Sequence, residues 1–454
     1  MNESSRPFET RTITRRGLFL TGAGVLLARR NIAADLITLS PAPRDVEMPQ
    51  EDFIDEITPV EHFFVRCHTM IPQVRLADWK LEIAGLVERP LSFTLADLKK
   101  LPHAELVSVL ECAGNGRSFY RPPVAGAQWR IGSVGNARWT GVRLKDVLEK
   151  TGVKPAATQL LLDGADVPIA KMPKFQRTLE VTKAMHPDTL LAWEMNGKPL
   201  TADHGYPLRV IAPGWASDSW VKWLTRIEVL DHDFDGFWMK TAYRHPAGHV
   251  APGTAVDPKD MIPVTDLNVK SVIARVVEWA APGVVTIQGV AWSNASPVRK
   301  VEISTDAGQT WSPANFTGKP TKYGFRKFAY TWKTSEGRYT LMSRATNEAG
   351  QVQPLDPEWN PNGYLNNAVQ PVPVTISRTR PVLTAAPPEA DVQPEPEGYK
   401  AACLPCHDDH LIRQQRLTRA QWDREVTKMT GWGATVSPER RNPLLDYLSA
   451  RYKP

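Results

Sequence analysis

The sequence predicts an α+β domain, then an immunoglobulin-like β-sandwich, then a small all-α segment. Three observations carry this. Residues 52–263 mix short strands, helices and Gly/Pro turns with no long helical period, as α+β domains do. From about residue 264 to 378, short runs rich in Val, Ile, Thr and aromatics recur at regular spacing, the pattern of a sandwich. Residues 379–397 are proline-rich and acidic, a semi-rigid linker that sets apart 398–454. The length of 454 residues agrees with about three domains. With 42% hydrophobic and 23% charged residues and a mean hydropathy of −0.33, the chain can build real cores, which excludes wholesale disorder and a multi-span membrane protein. The net charge of +6 is diffuse and contains no basic run, so no nucleic-acid partner is expected.

Taken in order, Arg15 and Arg16 precede an apolar stretch from Leu18 to Ala28, too short to span a bilayer. Residues 1–34 resemble a twin-arginine export signal, which implies a periplasmic protein with no stable membrane insertion. In the α+β region, residues 76–86 alternate in part as a strand does, and Thr94 is the N-cap of a short helix reaching Leu101. A second helix covers 144–151 and ends near Gly152. The sandwich runs are 272–278, 284–292, 298–304, 325–332 and 338–347.

The last segment is small for an independent core unless something staples it. Cys403, Leu404, Pro405, Cys406 and His407 spell C-x-x-C-H, the attachment pattern of covalent heme c, with His407 as the proximal iron ligand. A zinc or redox C-x-x-C competes poorly, because the only other cysteines, Cys67 and Cys112, form no second close pair. Thr418 can cap a helix that carries Trp422, Val426 and Met429 on one face and stops at glycine. Met429 is therefore the expected axial ligand; His410, the rival, lies too near the attachment loop. A final helix begins with Ser437 and Pro438 and offers Leu444, Leu445 and Leu448. The segment from Glu395 to Pro454 resembles a small monoheme cytochrome c throughout.

A heme of this type moves single electrons and makes no bonds to a substrate, so the upstream domain must supply another centre. Its marked cysteine is Cys112, where a β-type run breaks into Ala113, Gly114, Asn115 and Gly116 before Arg117. Read alone, such a thiol is also an ordinary buried cysteine.

Seven stretches in order change that reading: F-F-V-R-C-H at 63–68, E-C-A-G-N-G-R at 111–117, A-R-W-T-G-V-R-L at 137–144, W-E-M-N-G at 193–197, D-H-G-Y-P-L-R-V at 203–210, V-K-W-L at 221–224 and A-W-S at 291–293. From about residue 55 to 375 the chain resembles the sulfite oxidase family of molybdenum enzymes. The resemblance implies a molybdenum-molybdopterin cofactor with Cys112 as the thiolate ligand of the metal, a role that thiolate softness suits. It implies sulfite as substrate, gathered by Arg66 and Arg117, whose guanidinium forks match a small oxyanion. Tyr243 matches the active-site tyrosine and Trp129 a tryptophan that walls the pocket. His68, Asn115, His204, Arg209 and Lys222 match positions that hold the pterin and its phosphate. Region 264–378 resembles the dimerisation domain, which implies a homodimer. Cys67 and Asn362 depart from the pattern: the first stands where asparagine is usual, the second near a third substrate arginine of some members.

The expected activity is a periplasmic sulfite dehydrogenase that forms sulfate and passes two electrons singly through heme c to a soluble cytochrome c. Three other readings compete: a sulfane dehydrogenase acting on carrier-bound sulfur, a reductase of oxidised methionine, and a non-enzymatic electron carrier.

Overall fold

The computed structural model describes residues 36–274, 279–379 and 394–454. The export signal and most of the linker lie outside the described residues. None of the described helices is long and apolar enough to cross a membrane.

Two sheets enclose the main core. One runs Lys198–Pro199, Leu190–Met195, Val134–Arg143 and His103–Glu111, with Arg209–Ile211 also paired to Leu190–Met195. The other runs Leu91–Phe93, Leu81–Gly85, Leu224–Leu230, Gln159–Gly164 and Gln176–Glu180. Apolar residues of both, such as Ile83, Leu162 and Ile227 from one and Leu110, Trp139 and Leu191 from the other, form a single cluster. The helix Leu144–Thr151 seals it with Leu144, Val147 and Leu148 and ends at Gly152 in the left-handed region (φ 69°), the expected glycine stop. Thr94 closes a capping box with Asp97, and that helix is one turn, Leu95–Leu98.

The Pro-rich lead-in before residue 52 is part of this body. Ile37–Ser40, Asp45–Glu47 and Val65–Arg66 form a small antiparallel sheet that places Arg66 beside Asp45. Composition hid this because the strands are short and their buried residues include two carboxylates, Asp45 and Glu47.

Two further sheets follow, Lys270–Ile273, Gly283–Trp292, Arg326–Thr334 and Asn315–Thr317 in one, and Trp279–Ala280, Val372–Ile376, Gly337–Asn347, Val298–Ser304 and Ser312–Pro313 in the other. Ile287, Phe328, Val301, Leu341 and Val374 share their common core. A separate cluster joins this region to the first: Val109, Ala113 and Val134 pack with Val272, Trp292 and Phe325.

Residues 399–451 contain the helices Tyr399–Cys403, His410–Arg413, Arg419–Gly431 and Pro438–Arg451. Tyr399, Trp422, Val426, Leu444, Leu445 and Leu448 are buried among them, and Thr418 closes a capping box with Gln421. This segment lies against the first domain: the Asp408 carboxylate accepts from the Ser40 hydroxyl (3.1 Å) and the Ala42 N–H (3.2 Å).

Candidate active site

A cleft opens where the ends of several elements meet. It is lined by Arg66, Cys67 and His68, by Cys112, by Asp166 and Phe175, and by His204, Arg209, Lys222 and Tyr243, among others. Cys112 directly follows the strand His103–Glu111, and its N–H is tied to the Ser133 carbonyl (2.9 Å). The turn after it needs Gly116 at φ 89°, where a Cβ would meet Asn366 at 2.9 Å. Burial pushes the Cys112 thiol up to about 11, while the positive charges of Arg66 and Arg117 favour its thiolate. Such a sulfur, dry and under the positive charge of two guanidinium groups, is poised to ionise when a cation takes the place of its proton.

Arg66 is aimed by Asp45, whose carboxylate oxygens lie 3.1 and 3.2 Å from Nη1. Burial works against the Arg66 charge, yet the Asp45 carboxylate beside it holds the guanidinium protonated. Asp45 also accepts the Cys67 N–H at 3.0 Å, so one buried carboxylate orients two consecutive cleft residues. Tyr243 sits at φ 52°, a left-handed conformation that costs a non-glycine residue about 1 kcal/mol or more. Its hydroxyl lies 2.8 Å from His68 Nε2. Burial drives His68 well below its usual range, helped by Arg66, and drives the Tyr243 phenol well above its own, so the pair is neutral. A neutral phenol beside a neutral imidazole can offer one proton to an incoming anion without adding charge.

Arg209 is 3% exposed and, among the described residues, donates to the carbonyls of His204 (3.0 Å) and Trp220 (3.1 Å). Its Nε is buried with no partner among the described residues, and burial lowers its pKa to about 9. Lys222 Nζ contacts the Asp203 carbonyl (2.9 Å) and Cys67 Sγ (3.2 Å). Among the described residues no carboxylate lies within ion-pair distance of Arg209 or Lys222. Burial also lowers His204, to about 3. Two cations in one cleft, neither of them ion-paired among the described residues, make a place for an anionic group.

Three expected residues sit elsewhere. Arg117 is buried beside the cleft with its fork on the carbonyls of Ala127 (3.0 Å) and Asn362 (3.2 and 3.3 Å), and its guanidinium stacks over Tyr364 at 5.1 Å. Asn115 faces inward, donating to Glu111 (2.8 Å) and accepting from Ser133 (3.1 Å). Trp129 is fully buried in the main core and is not a cleft-lining residue. Arg117 therefore acts on the cleft through its charge, and Asn115 shapes the turn that carries Cys112.

Sequence reasoning missed the groups behind the site. Arg177 and Asp218 form a buried ion pair (2.6 Å), with the Arg177 guanidinium 5.2 Å from the Tyr243 ring. Glu111 accepts from Asn115, from Lys270 Nζ (3.1 Å) and from Trp292 Nε1 (2.6 Å), linking the residue before Cys112 to the second domain. Glu111 and Trp292 lay within two of those stretches, and nothing in the local sequence marks Arg177, Asp218 or Lys270.

Comparison with known proteins now gives the family. Residues 68–238 match the oxidoreductase molybdopterin binding domain and residues 261–377 the Mo-co oxidoreductase dimerisation domain. The sulfite oxidase of Arabidopsis thaliana is 31% identical over 355 residues, which is 72% of this chain and 90% of that protein. The chain belongs to the sulfite oxidase family. Mitochondrial sulfite oxidase of Drosophila melanogaster is 34% identical over 70% of this chain, and the chain spans 59% of that protein's length. Among solved structures, the sulfane dehydrogenase SoxCD from Paracoccus pantotrophus is similar with a TM-score of 0.65 and 28% identity, covering 75% of this chain and 88% of that one.

The site fits the cofactor that the matched domain binds. The unpartnered Arg209 Nε, with Lys222 and His204, suits the pterin's anionic phosphate, and Cys112 is a soft donor at the strand end. In the last segment Cys403 and Cys406 are free, and burial raises Cys403 to about 11. His407 Nδ1 lies 2.7 Å from the Asp408 carbonyl, a contact that orients the ring and does not involve Nε2. Trp422 Nε1, in the same helical cluster, is a buried donor with no partner among the described residues.

Proposed function

We propose that this chain oxidises sulfite to sulfate in the periplasm, after twin-arginine export, and delivers two electrons one at a time through heme c to a soluble cytochrome c. The observation that carries the reading is the cleft itself: a buried thiol, Cys112, shares one cavity with Arg66 and with Arg209 and Lys222, two cations that form no ion pair among the described residues. Molybdenum bound through pterin and Cys112 supplies oxygen-atom transfer and a two-electron redox change. The chain's own residues do the rest. Arg66, fixed by Asp45, holds the anion; Arg117 adds positive potential; the Tyr243 hydroxyl, set by His68, donates a hydrogen bond to it. Arg209, Lys222 and His204 hold the pterin's phosphate. Cys403 and Cys406 would hold heme c covalently, His407 and Met429 would ligate its iron, and the group would supply one-electron transfer. Residues 261–377 pair two copies of the chain.

One experiment tests this: purify the protein from the periplasm, measure molybdenum and heme, and follow the heme absorbance on adding sulfite. Both groups near one per chain and rapid reduction by sulfite support the proposal; iron without molybdenum overturns it. The likeness to SoxCD, together with Asn362 near the place where the resemblance puts a third substrate arginine in some members, favours a second reading, oxidation of carrier-bound sulfur. Under that reading free sulfite leaves the heme oxidised and a persulfide-bearing carrier protein reduces it.

A further inference from the structure

The helical segment 394–454 meets the first domain through a surface that no part of the function above uses. The helix Arg419–Gly431 ends at Trp432, whose indole packs against Phe237 (5.5 Å between rings, 81°) and Trp238 (6.2 Å, 46°). Trp238 is in turn 4.5 Å from the His68 ring and 6.2 Å from Tyr243, two residues that line the cleft. The Trp432 carbonyl accepts from Lys171 N–H at 2.9 Å, which anchors the end of the helix. An unbroken series of ring contacts thus runs from the cleft to a residue three positions beyond Met429.

A second set of contacts fixes this approach. Gln414 accepts from the Gln128 N–H (2.7 Å) and donates to the Leu39 carbonyl (3.1 Å). Gln415 both accepts from the Gly126 N–H (3.2 Å) and donates to the Gly126 carbonyl (2.9 Å). Gln421 donates to the Pro123 carbonyl at 2.9 Å. Leu411 packs on the main core, and Ala125 on the core of the helical segment. Apart from Asp408, the groups in these contacts are neutral. An encounter surface for a swinging domain relies on complementary charge that salt screens, whereas paired amides and apolar contact are nearly indifferent to salt.

We propose that residues 394–454 hold their redox group in a permanent dock on the catalytic domain, and that Trp432, through Trp238, is the contact that couples the cleft to it. The inference rests on the heme c reading. Each transfer removes one electron from the centre in the cleft and adds one to the group held by Cys403, Cys406 and His407. An external one-electron acceptor then clears that group before the second transfer. Tunnelling through packed atoms falls off far less steeply than through a gap, so the ring contacts make the short route. Trp432 is a positioning and coupling residue: it touches neither substrate nor the reacting atoms.

Hydrogen exchange on the full chain tests the dock without any turnover. The amides of Gly126 and Gln128 exchange slowly in the wild type, and the paired Gln414→Ala, Gln415→Ala variant speeds their exchange by about tenfold for each bond of ~1.4 kcal/mol lost. Unprotected amides in the wild type overturn the dock. Stopped-flow heme reduction by sulfite tests the route. The wild-type rate is unchanged by added viscogen or salt, and Trp432→Ala slows it several-fold while heme spectrum, midpoint potential and amide protection stay the same. Trp432→Phe recovers most of the rate. A rate that falls in proportion to viscosity overturns the dock, and an undiminished rate in Trp432→Ala overturns the role of Trp432. Protein without heme absorbance refutes the cofactor reading instead, and the exchange result still decides the dock.

Discussion

Lys270→Met asks how strongly the second domain holds the strand end that carries Cys112. Lys270 and Glu111 are both under 9% exposed in their side chains and lie 3.1 Å apart. The lysine also donates to the Asn366 carbonyl at 2.8 Å. Removing it leaves the Glu111 carboxylate buried with two donors, Asn115 and Trp292, and no opposite charge within ion-pair distance. Breaking one side of a buried pair costs about 3–5 kcal/mol. At about 2 °C per kcal/mol for a unit of this size, the thermal midpoint of the full chain falls by roughly 6–10 °C. Circular dichroism melts read the shift, and metal analysis reads the accompanying loss of molybdenum. The double variant Lys270→Met, Glu111→Gln recovers part of the loss, because the buried charge is gone and the Trp292 donor keeps an acceptor. A loss in Lys270→Met below about 1 kcal/mol, the level of an exposed pair, refutes the reasoning.

Three further outcomes are expected. Cys112→Ser retains heme absorbance and loses both molybdenum and sulfite turnover; full turnover removes Cys112 from the metal. Met429→Ala changes the heme's ligation spectrum and lowers its potential, and an unaltered spectrum assigns the sixth position to another residue. Glu47 is buried against the Arg130 N–H (2.9 Å), and burial raises its carboxyl to about 7. Because the folded state then binds the proton more tightly than the unfolded chain, its ionisation destabilises the fold progressively as pH rises from about 4.5 to 7. Glu47→Gln therefore gains up to roughly 3 kcal/mol on the wild type above pH 7 and little below pH 4.5. Urea titrations at the two pH values measure the difference, and a gain independent of pH contradicts the assignment.

Local chemistry made part of this fold readable. The helix Leu144–Thr151 with its Gly152 stop and the strand Val298–Ser304 coincide with the sequence reading to the residue, and Thr94 and Thr418 cap as their neighbours Asp97 and Gln421 allow. In the site, His68, Cys112, His204, Arg209, Lys222 and Tyr243 converge on one cleft with Arg66, as the motifs implied. What stayed hidden was long-range pairing. Asp45 with a half-buried Arg66, and the buried pairs Arg177 with Asp218 and Glu111 with Lys270, join residues far apart in the chain, and a carboxylate's own neighbours do not say which cation it will meet. Arg117, Asn115 and Trp129 show the converse. Motif position brings a residue to the neighbourhood of a site, and only its hydrogen-bond partners show whether it faces the cavity or braces the wall.

The bonds from Asp408 to Ser40 and Ala42 join the first strand of the folded body to its final sixty or so residues. Dissecting the protein into an isolated catalytic piece would strip a carboxylate cap from that strand and lay bare the apolar patches under Leu411 and Trp432. Anyone expressing it in parts should meet aggregation at that seam; the two ends of the polypeptide are best produced together.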